Sequence, residues 1–365
     1  MSTKQRVIVG LSGGVDSSVA AYLLKEQGYD VTGVTMSIWN QKVNSTPSGK
    51  HSCYGPDEEE EIREAAEVAY LLKIPYHVFD CSARYKELVL DYFRSEYLSG
   101  RTPNPCVKCN QHIKFGMLPE VAAKEGIEFD FFATGHYART GWDKVRKRFL
   151  LKKAIDNWKD QTYFISRLSQ EQLKHVLFPL GSLTKKEVRE IAGKIDIPLS
   201  EKEESQDFYS GDYKELLHVS DQPGQIVDRQ GKIMGQHNGI WNYTIGQRKG
   251  LGIAYSEPLY VIELNKEKNQ VIVGTRKEVM STSFIVNDLN WIAMEKLAAP
   301  MEVSAKIRSA QKASPALVEP LDEHSVKVIF HEPNDGITPG QLAVFYQDDI
   351  VVGGGTIDKV LSEHG

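Results

Sequence analysis

The chain has 365 residues, of which 41% are hydrophobic and 25% charged. At roughly 100–200 residues per domain that length holds two or three domains, and the composition excludes a single small module, a disordered chain and a collagen-like repeat. The 44 basic and 49 acidic side chains leave a net charge of −5, so the charge balance encodes no global preference for nucleic acid. No apolar run approaches the roughly 20 residues of a membrane helix, and MSTKQRVIVGLSGG leads straight into a strand-like segment. A cytoplasmic protein with no signal peptide and no membrane partner is expected. Cys53, Cys81, Cys106 and Cys109 are too few for a disulfide scaffold in a chain this long. They point to a reducing compartment, in which Asn44-Ser45-Thr46 is a chance glycosylation sequon.

In chain order, RVIVGL reads as a strand, SSVAAYLLKEQG as a helix, VTGVTMSIW as a strand, DEEEEIREAAEVAYLLK as a helix with acids in its first turn, and IPYHVFDC as a strand. A helix follows around residues 85–98, then a proline-rich loop at RTPNPCVKCN, a helix near 113–124 and a strand at FDFFATGHYA. Strands alternating with helices predict an α/β domain, a parallel sheet covered on both faces. Residues 139–153, RTGWDKVRKRFLLKK, hold seven basic side chains against one acid and read as a basic hairpin, either solvated or lying on RNA. Thr184 and Glu187 have capping-box spacing at the head of another helix. Residues 222–252 are rich in Gly, Gln and Asn and suggest a compact, loop-rich middle domain. From Glu257 onward LYVIEL, QVIVG, MEVSAKI, SVKVIF, QLAVFY and DIVVGGGTI recur between turns, the pattern of an all-β barrel or sandwich. The expected division is 1–202, 203–276 and 277–365.

Between the first strand and first helix lies Ser12-Gly13-Gly14-Val15-Asp16-Ser17. Glycines there let main-chain N–H groups close around phosphate oxygens, the helix N-terminus adds its partial positive charge, and the serines add donors. No Gly-Lys-Ser/Thr follows and the glycines are adjacent, so neither a Walker A loop nor a dinucleotide fingerprint is present. The motif resembles that of the PP-loop ATP pyrophosphatases. That resemblance implies ATP, with Mg2+, cleaved between the α and β phosphates, and adenylation of an oxygen that a nitrogen or sulfur nucleophile then displaces.

Cys106 and Cys109 form C-x-x-C just before a predicted helix whose N-terminus would favour a thiolate. Three readings are open: a structural zinc site extended by His112, two inert buried thiols, or sulfur and iron–sulfur chemistry. Six segments then decide the resemblance. GLSGGVDSSVAA, GRTPNPCVKCNQHIKFG, ATGHYAR, KDQTYFISRLSQEQL, GIWNYTIGQRKGLGI and TPGQLAVFY are similar, in order and over essentially the whole chain, to the bacterial tRNA-specific 2-thiouridylase family.

The resemblance implies ATP-dependent replacement of the C2 oxygen of a tRNA wobble uridine by sulfur. It also implies a PP-loop domain, a small central domain and a C-terminal β-barrel. It places the nucleotide site on Gly10, Leu11, Ser12, Gly13, Gly14, Val15, Asp16 and Ser17, on Met36 and on Gly135. Its tRNA contacts fall on Cys106, Val107 and Lys108, on His136, on Lys159, Asp160 and Gln161, and on Arg308, Ser309 and Gln341. The catalytic cysteine aligns with Cys109; Cys106 and Asp16 complete the expected catalytic group. The family's second cysteine, which carries a persulfide, would lie in Ser205-Gln206-Asp207-Phe208-Tyr209, where this chain has tyrosine. Sulfur must therefore arrive by another route: a persulfide on Cys106 or Cys109 delivered by a cysteine desulfurase relay, or free sulfide on a 4Fe–4S iron–sulfur cluster held by Cys53, Cys106 and Cys109. Two alternatives remain open, another PP-loop tRNA-modifying enzyme and a catalytically inactive tRNA-binding homologue.

Overall fold

The computed structural model describes residues 4–39, 52–195, 208–209 and 211–361; Asn44-Ser45-Thr46 and Ser205 to Asp207 lie outside them. The chain forms two compact units. The first comprises residues 1–90, 105–215 and 349–351, the second residues 91–104, 216–348 and 352–365.

In the first unit β1 (Arg6–Gly10), β2 (Asp30–Ser37), β3 (Tyr76–Asp80), β4 (Phe131–Ala133) and β7 (Val176–Leu177) pair in parallel in the order β3-β2-β1-β4-β7. Val7, Ile8 and Val9 are all buried, as befits a central parallel strand covered on both faces. Helix α1 (Val15–Glu26) buries Val15, Val19, Ala20, Ala21 and Leu24 against this core. Helix α2 (Glu58–Leu72) opens on four glutamates, favourable at a helix N-terminus, and packs Ala65, Val68, Ala69 and Leu72 inward. The chain runs outward from β1 to β2 and β3, then crosses to β4 on the other side. The order therefore reverses between β1 and β4, and at such a switch point the loops leaving the carboxyl ends diverge and open a ligand crevice.

The basic hairpin forms as β5 (Ala138–Asp143) and β6 (Arg148–Lys153), and Ile350 returns to pair with Lys152. The capping box expected at Thr184 is present: its hydroxyl accepts from Glu187 N, and Glu187 reaches back to the cap. The helix expected over 85–98 is broken into Ser82–Tyr85, a π-helical stretch Lys86–Leu90 and Asp91–Leu98.

The second unit holds two sheets. The stretch expected to be loop-rich carries β8 (Gly224–Val227) and β9 (Ile233–His237), and these pair with β10 (Tyr260–Asn265) and β11 (Gln270–Gly274) in the order β10-β11-β8-β9. LYVIEL and QVIVG thus belong to the middle sheet and not with the later strands. The link is a parallel β11–β8 pairing between distant segments, which local periodicity does not reveal. The remaining strands are β12 (Ser281–Trp291), β13 (Met301–Lys306), β14 (Ser314–Pro320), β15 (Val326–Asn334), β16 (Leu342–Gln347) and β17 (Ile350–Leu361). They run β12-β15-β14-β13-β16-β17, and β12 pairs with β17 to close the barrel. Phe284, Val318, Val328, Phe330, Phe345 and Val352 fill it. At Gly354 a Cβ would fall 2.4 Å from the Ala343 carbonyl oxygen, so glycine permits the close strand approach.

Candidate active site

The loop after β1 is built by its own hydrogen bonds. Leu11 N–H donates to Val34 O at 2.8 Å, and the Leu11 carbonyl accepts from Thr35 Oγ1 at 2.7 Å. Gly13 has φ +68°, and a Cβ there would lie 2.6 Å from Glu61 O, so conformation and space both demand glycine. Ser17 Oγ accepts from Ser12 N (3.2 Å) and donates to Gly14 O (3.1 Å), drawing the loop over the first turn of α1. Gly14 caps α1 without a side-chain bond, leaving that N-terminus to an anion. Gly10 ends β1, Leu11 and Val15 are buried, and Met36 sits half-buried in β2, paired with Phe79.

The loop after β4 closes on this cradle. A Cβ at Gly135 would lie 2.7 Å from both Asp16 C and Ser17 N. Asp16 Oδ1 accepts from the Tyr137 hydroxyl at 2.9 Å, and Lys185 Nζ reaches Asp16 Oδ1 and Oδ2 at 2.8 and 2.9 Å. His136 places Nδ1 2.8 Å from Thr134 Oγ1, and its ring packs with those of Phe115 and Phe178 in a three-ring cluster. Burial, reinforced by the Lys114 ammonium, holds its pKa well below the usual histidine value, so it is neutral at pH 7.

The thiols lie in the same unit. Cys106 belongs to the helical turn Pro105–Lys108 and Cys109 opens a π-helical segment, Cys109–Met117. They are therefore inside a helical run and not ahead of one, and at Cys109 the expected thiolate is not favoured. Burial pushes the Cys109 thiol up to about 12, with Lys114 opposing and Cys53 and Cys81 adding to the rise. Val107 is buried, leaving Cys106 and Lys108 half-exposed.

Tyr85 is buried, and its hydroxyl pKa is raised first by burial and then by Cys109, Cys106 and Cys53, so three thiols lie within electrostatic range of one phenol. Tyr85 stacks on Tyr54 at 5.3 Å, and Tyr54 neighbours Trp39 and Tyr209. Tyr209 is buried and donates its hydroxyl to Glu215. Cys53 is exposed, whereas Cys81 is buried at the end of β3, its thiol pushed up to about 11 by burial. Among the described residues no three His, Cys, Asp or Glu side chains are arranged to hold a metal ion.

Residues 5–209 match the family described as tRNA methyl transferase HUP domain, 216–275 its PRC-barrel domain, and 281–357 the aminomethyltransferase beta-barrel domain. The chain is 50% identical over 363 residues to the tRNA-specific 2-thiouridylase MnmA of Endomicrobium trichonymphae, covering 98% of this chain and 100% of that one. This chain belongs to the tRNA-specific 2-thiouridylase family. Further members are MnmA 1 of Caldanaerobacter subterraneus subsp. tengcongensis, 47% identical over 98% of this chain and 99% of that one, and MnmA of Acetivibrio thermocellus, 44% identical over 97% and 99%.

The remaining positions expected to contact tRNA fall in both units. In the first, Gln161 Oε1 accepts from Tyr137 N (2.9 Å), and Asp160 Oδ1 accepts from Ala154 N (3.1 Å), so both side chains hold their loop in shape. Lys159 is half-buried beside Trp158, which is 95% exposed. In the second, Arg308 donates to the carbonyls of Ile245 and Gly336, Ser309 is exposed, and Gln341 Nε2 donates to the carbonyls of Thr102 and Pro103. Gln341 thus pins the segment that leads into Pro105 and Cys106. Sequence reasoning missed Lys185, Tyr137 and Tyr85. Tyr137 stands inside a quoted motif; nothing local marks Lys185, 169 positions from Asp16.

Proposed function

We propose that this chain is a tRNA-uridine 2-sulfurtransferase, which takes ATP as its magnesium complex, transfers AMP to the C2 oxygen of the wobble uridine and replaces that oxygen by sulfur. The observation that carries this reading is a phosphate cradle at the β1/β4 switch point in the same unit as the thiols Cys106 and Cys109. Uracil's C2 carbonyl loses its oxygen with difficulty. Attack by that oxygen on the α phosphorus expels pyrophosphate and leaves an O-adenylate; sulfur then adds at C2 and AMP departs. Reaching C2 requires the base to leave its stack.

In this reading Gly10 to Ser17, Met36 and Gly135 hold the nucleotide. Cys109 with Cys106 handles sulfur, and His136, Lys108, Lys159, Arg308, Ser309 and Gln341 face tRNA. The three-part division 1–202, 203–276 and 277–365 is part of the same proposal, as is a cytoplasmic location; no helix among the described residues is long and apolar enough to cross a membrane. Cys53, Cys106 and Cys109 all lie within electrostatic range of Tyr85, but among the described residues they are not arranged to hold a metal ion, so a 4Fe–4S cluster on them does not fit the site as placed. Incubation with ATP, sulfide and unmodified tRNA, followed by mass spectrometry of the nucleosides, tests the function. 2-Thiouridine is expected; a nitrogen-containing product would assign another PP-loop activity, and tRNA binding without turnover an inactive homologue.

A further inference from the structure

Asp16 poses an electrostatic problem. It is the second residue of α1, so its carboxylate stands in the first helical turn, where the free N–H groups would receive a polyphosphate. An uncompensated carboxylate there would repel the ligand and draw on the same helix terminus. The structure compensates it. Lys185 Nζ lies 2.8 and 2.9 Å from the two carboxylate oxygens, with the side chains only 13% and 25% exposed, and the Tyr137 hydroxyl adds a further bond to Oδ1.

Lys185 is set in place independently of its ammonium. It is the first residue of the helix Lys185–Lys194, whose start is fixed by the Thr184–Glu187 capping box, and its own N–H donates to Asp156 Oδ2 at 3.0 Å. Removing the ammonium leaves the helix start anchored and the carboxylate exposed to the cradle with one neutral partner.

We propose that Lys185 is a positioning residue of the nucleotide site, acting through Asp16: it cancels that carboxylate so that the α1 N-terminus presents a net positive field to a nucleoside triphosphate. This rests on reading Ser12 to Ser17 as the nucleotide cradle. A salt bridge serving only to join two helices would change stability and leave nucleotide affinity alone.

The test is a charge cycle on the full chain, with α,β-methylene-ATP titrated calorimetrically at fixed magnesium and salt and thermal midpoints measured alongside. Lys185→Met is expected to weaken binding on the order of tenfold relative to the parent. The double variant Lys185→Met with Asp16→Asn, carrying neither charge, is expected to bind several-fold more tightly than Lys185→Met alone. It also keeps the comparison valid if Lys185→Met alone folds poorly, because no unpaired carboxylate remains. Parent-like affinity in a folded Lys185→Met would overturn the proposal. So would a double variant as weak as Lys185→Met, which would mean that Lys185 meets the phosphates itself. A parent chain that does not bind the analogue overturns the cradle reading, and the proposal with it.

Discussion

Gly135 packs its Cα against the main chain of Asp16, so closely that any Cβ would fall 2.7 Å from Asp16 C. The contact joins the loops leaving β1 and β4, the two strands that flank the crevice. A methyl group meets main chain there, which cannot swing away as a side chain would. Gly135→Ala is therefore expected to cost about 1–3 kcal/mol of stability and to raise the KM for ATP at least as much as it lowers kcat. Urea unfolding and steady-state thiolation check both. An alanine variant with parent kinetics would mean that the cradle does not depend on this contact.

On the cradle itself, Asp16→Ala and Ser17→Ala are expected to abolish thiolation while leaving tRNA affinity largely intact. Ser17 ties Ser12 to Gly14, and Asp16 ties the first turn of α1 to Tyr137 and Lys185. Nucleoside analysis and tRNA titration of each variant separate the two effects. Near-normal turnover in either would remove the nucleotide assignment.

The half-buried Cys109 thiol gives a pH signature. Its folded pKa is about 12 against 9.0 for an ordinary thiol, so the folded state keeps its proton where the unfolded chain has lost it. Between those values the unfolded state binds fewer protons, and stability falls as pH rises; below about 9 the group contributes no pH dependence. Comparing urea midpoints at pH 8 and pH 10, the parent is expected to lose more stability than Cys109→Ser, which has no thiol to titrate. Equal losses would place Cys109 in a more solvated setting.

Local signals in the sequence reach the elements and stop short of their meetings. Val7 to Val9 announce a buried strand, and Thr184 with Glu187 announces a helix start, because hydrophobic period and capping act within a few residues. The SGGVDS cradle is legible for the same reason. The Lys185–Asp16 pair is not, since it exists only once two helices dock, and the parallel pairing of β11 with β8 is equally non-local. The placement of Cys106 and Cys109 inside a helical run was hidden by the prolines ahead of them, which read as loop although Pro105 suits a first helical turn.

The basic hairpin offers a salt-dependent test. Arg146 pairs with Asp143 at 3.3 Å on an exposed turn, a contact worth little in itself, so charge reversal there perturbs the fold slightly. If the hairpin lies on tRNA, Arg146→Glu with Arg148→Glu is expected to weaken binding about tenfold or more and to flatten the dependence of log K on log salt by roughly 1–2, because fewer counterions are released. Filter binding at several salt concentrations measures both. Unchanged affinity and slope would put the hairpin in solvent.

The route of sulfur turns on Tyr209. The resemblance of the sequence to its family expects a second cysteine at this position; Tyr209 is instead buried beside Tyr54 with its hydroxyl donated to Glu215, and a phenol cannot carry a persulfide. Tyr209→Phe keeps the ring and loses one hydrogen bond, so a stability loss of about 1 kcal/mol and near-parent turnover are expected, whereas Cys109→Ser is expected to be inactive. A Tyr209→Phe variant without activity would give the phenol a part in the chemistry. The carrier is then read from iron. Cys53 lies within electrostatic range of Tyr85, as do Cys106 and Cys109, but a persulfide on Cys109 has no use for it. Anaerobically purified protein holding iron and acid-labile sulfide, with Cys53→Ala losing both along with activity, assigns sulfide to a three-cysteine cluster. An iron-free protein that thiolates tRNA at full rate with a cysteine desulfurase, and keeps that rate in Cys53→Ala, assigns it to a persulfide handled by Cys109 and Cys106.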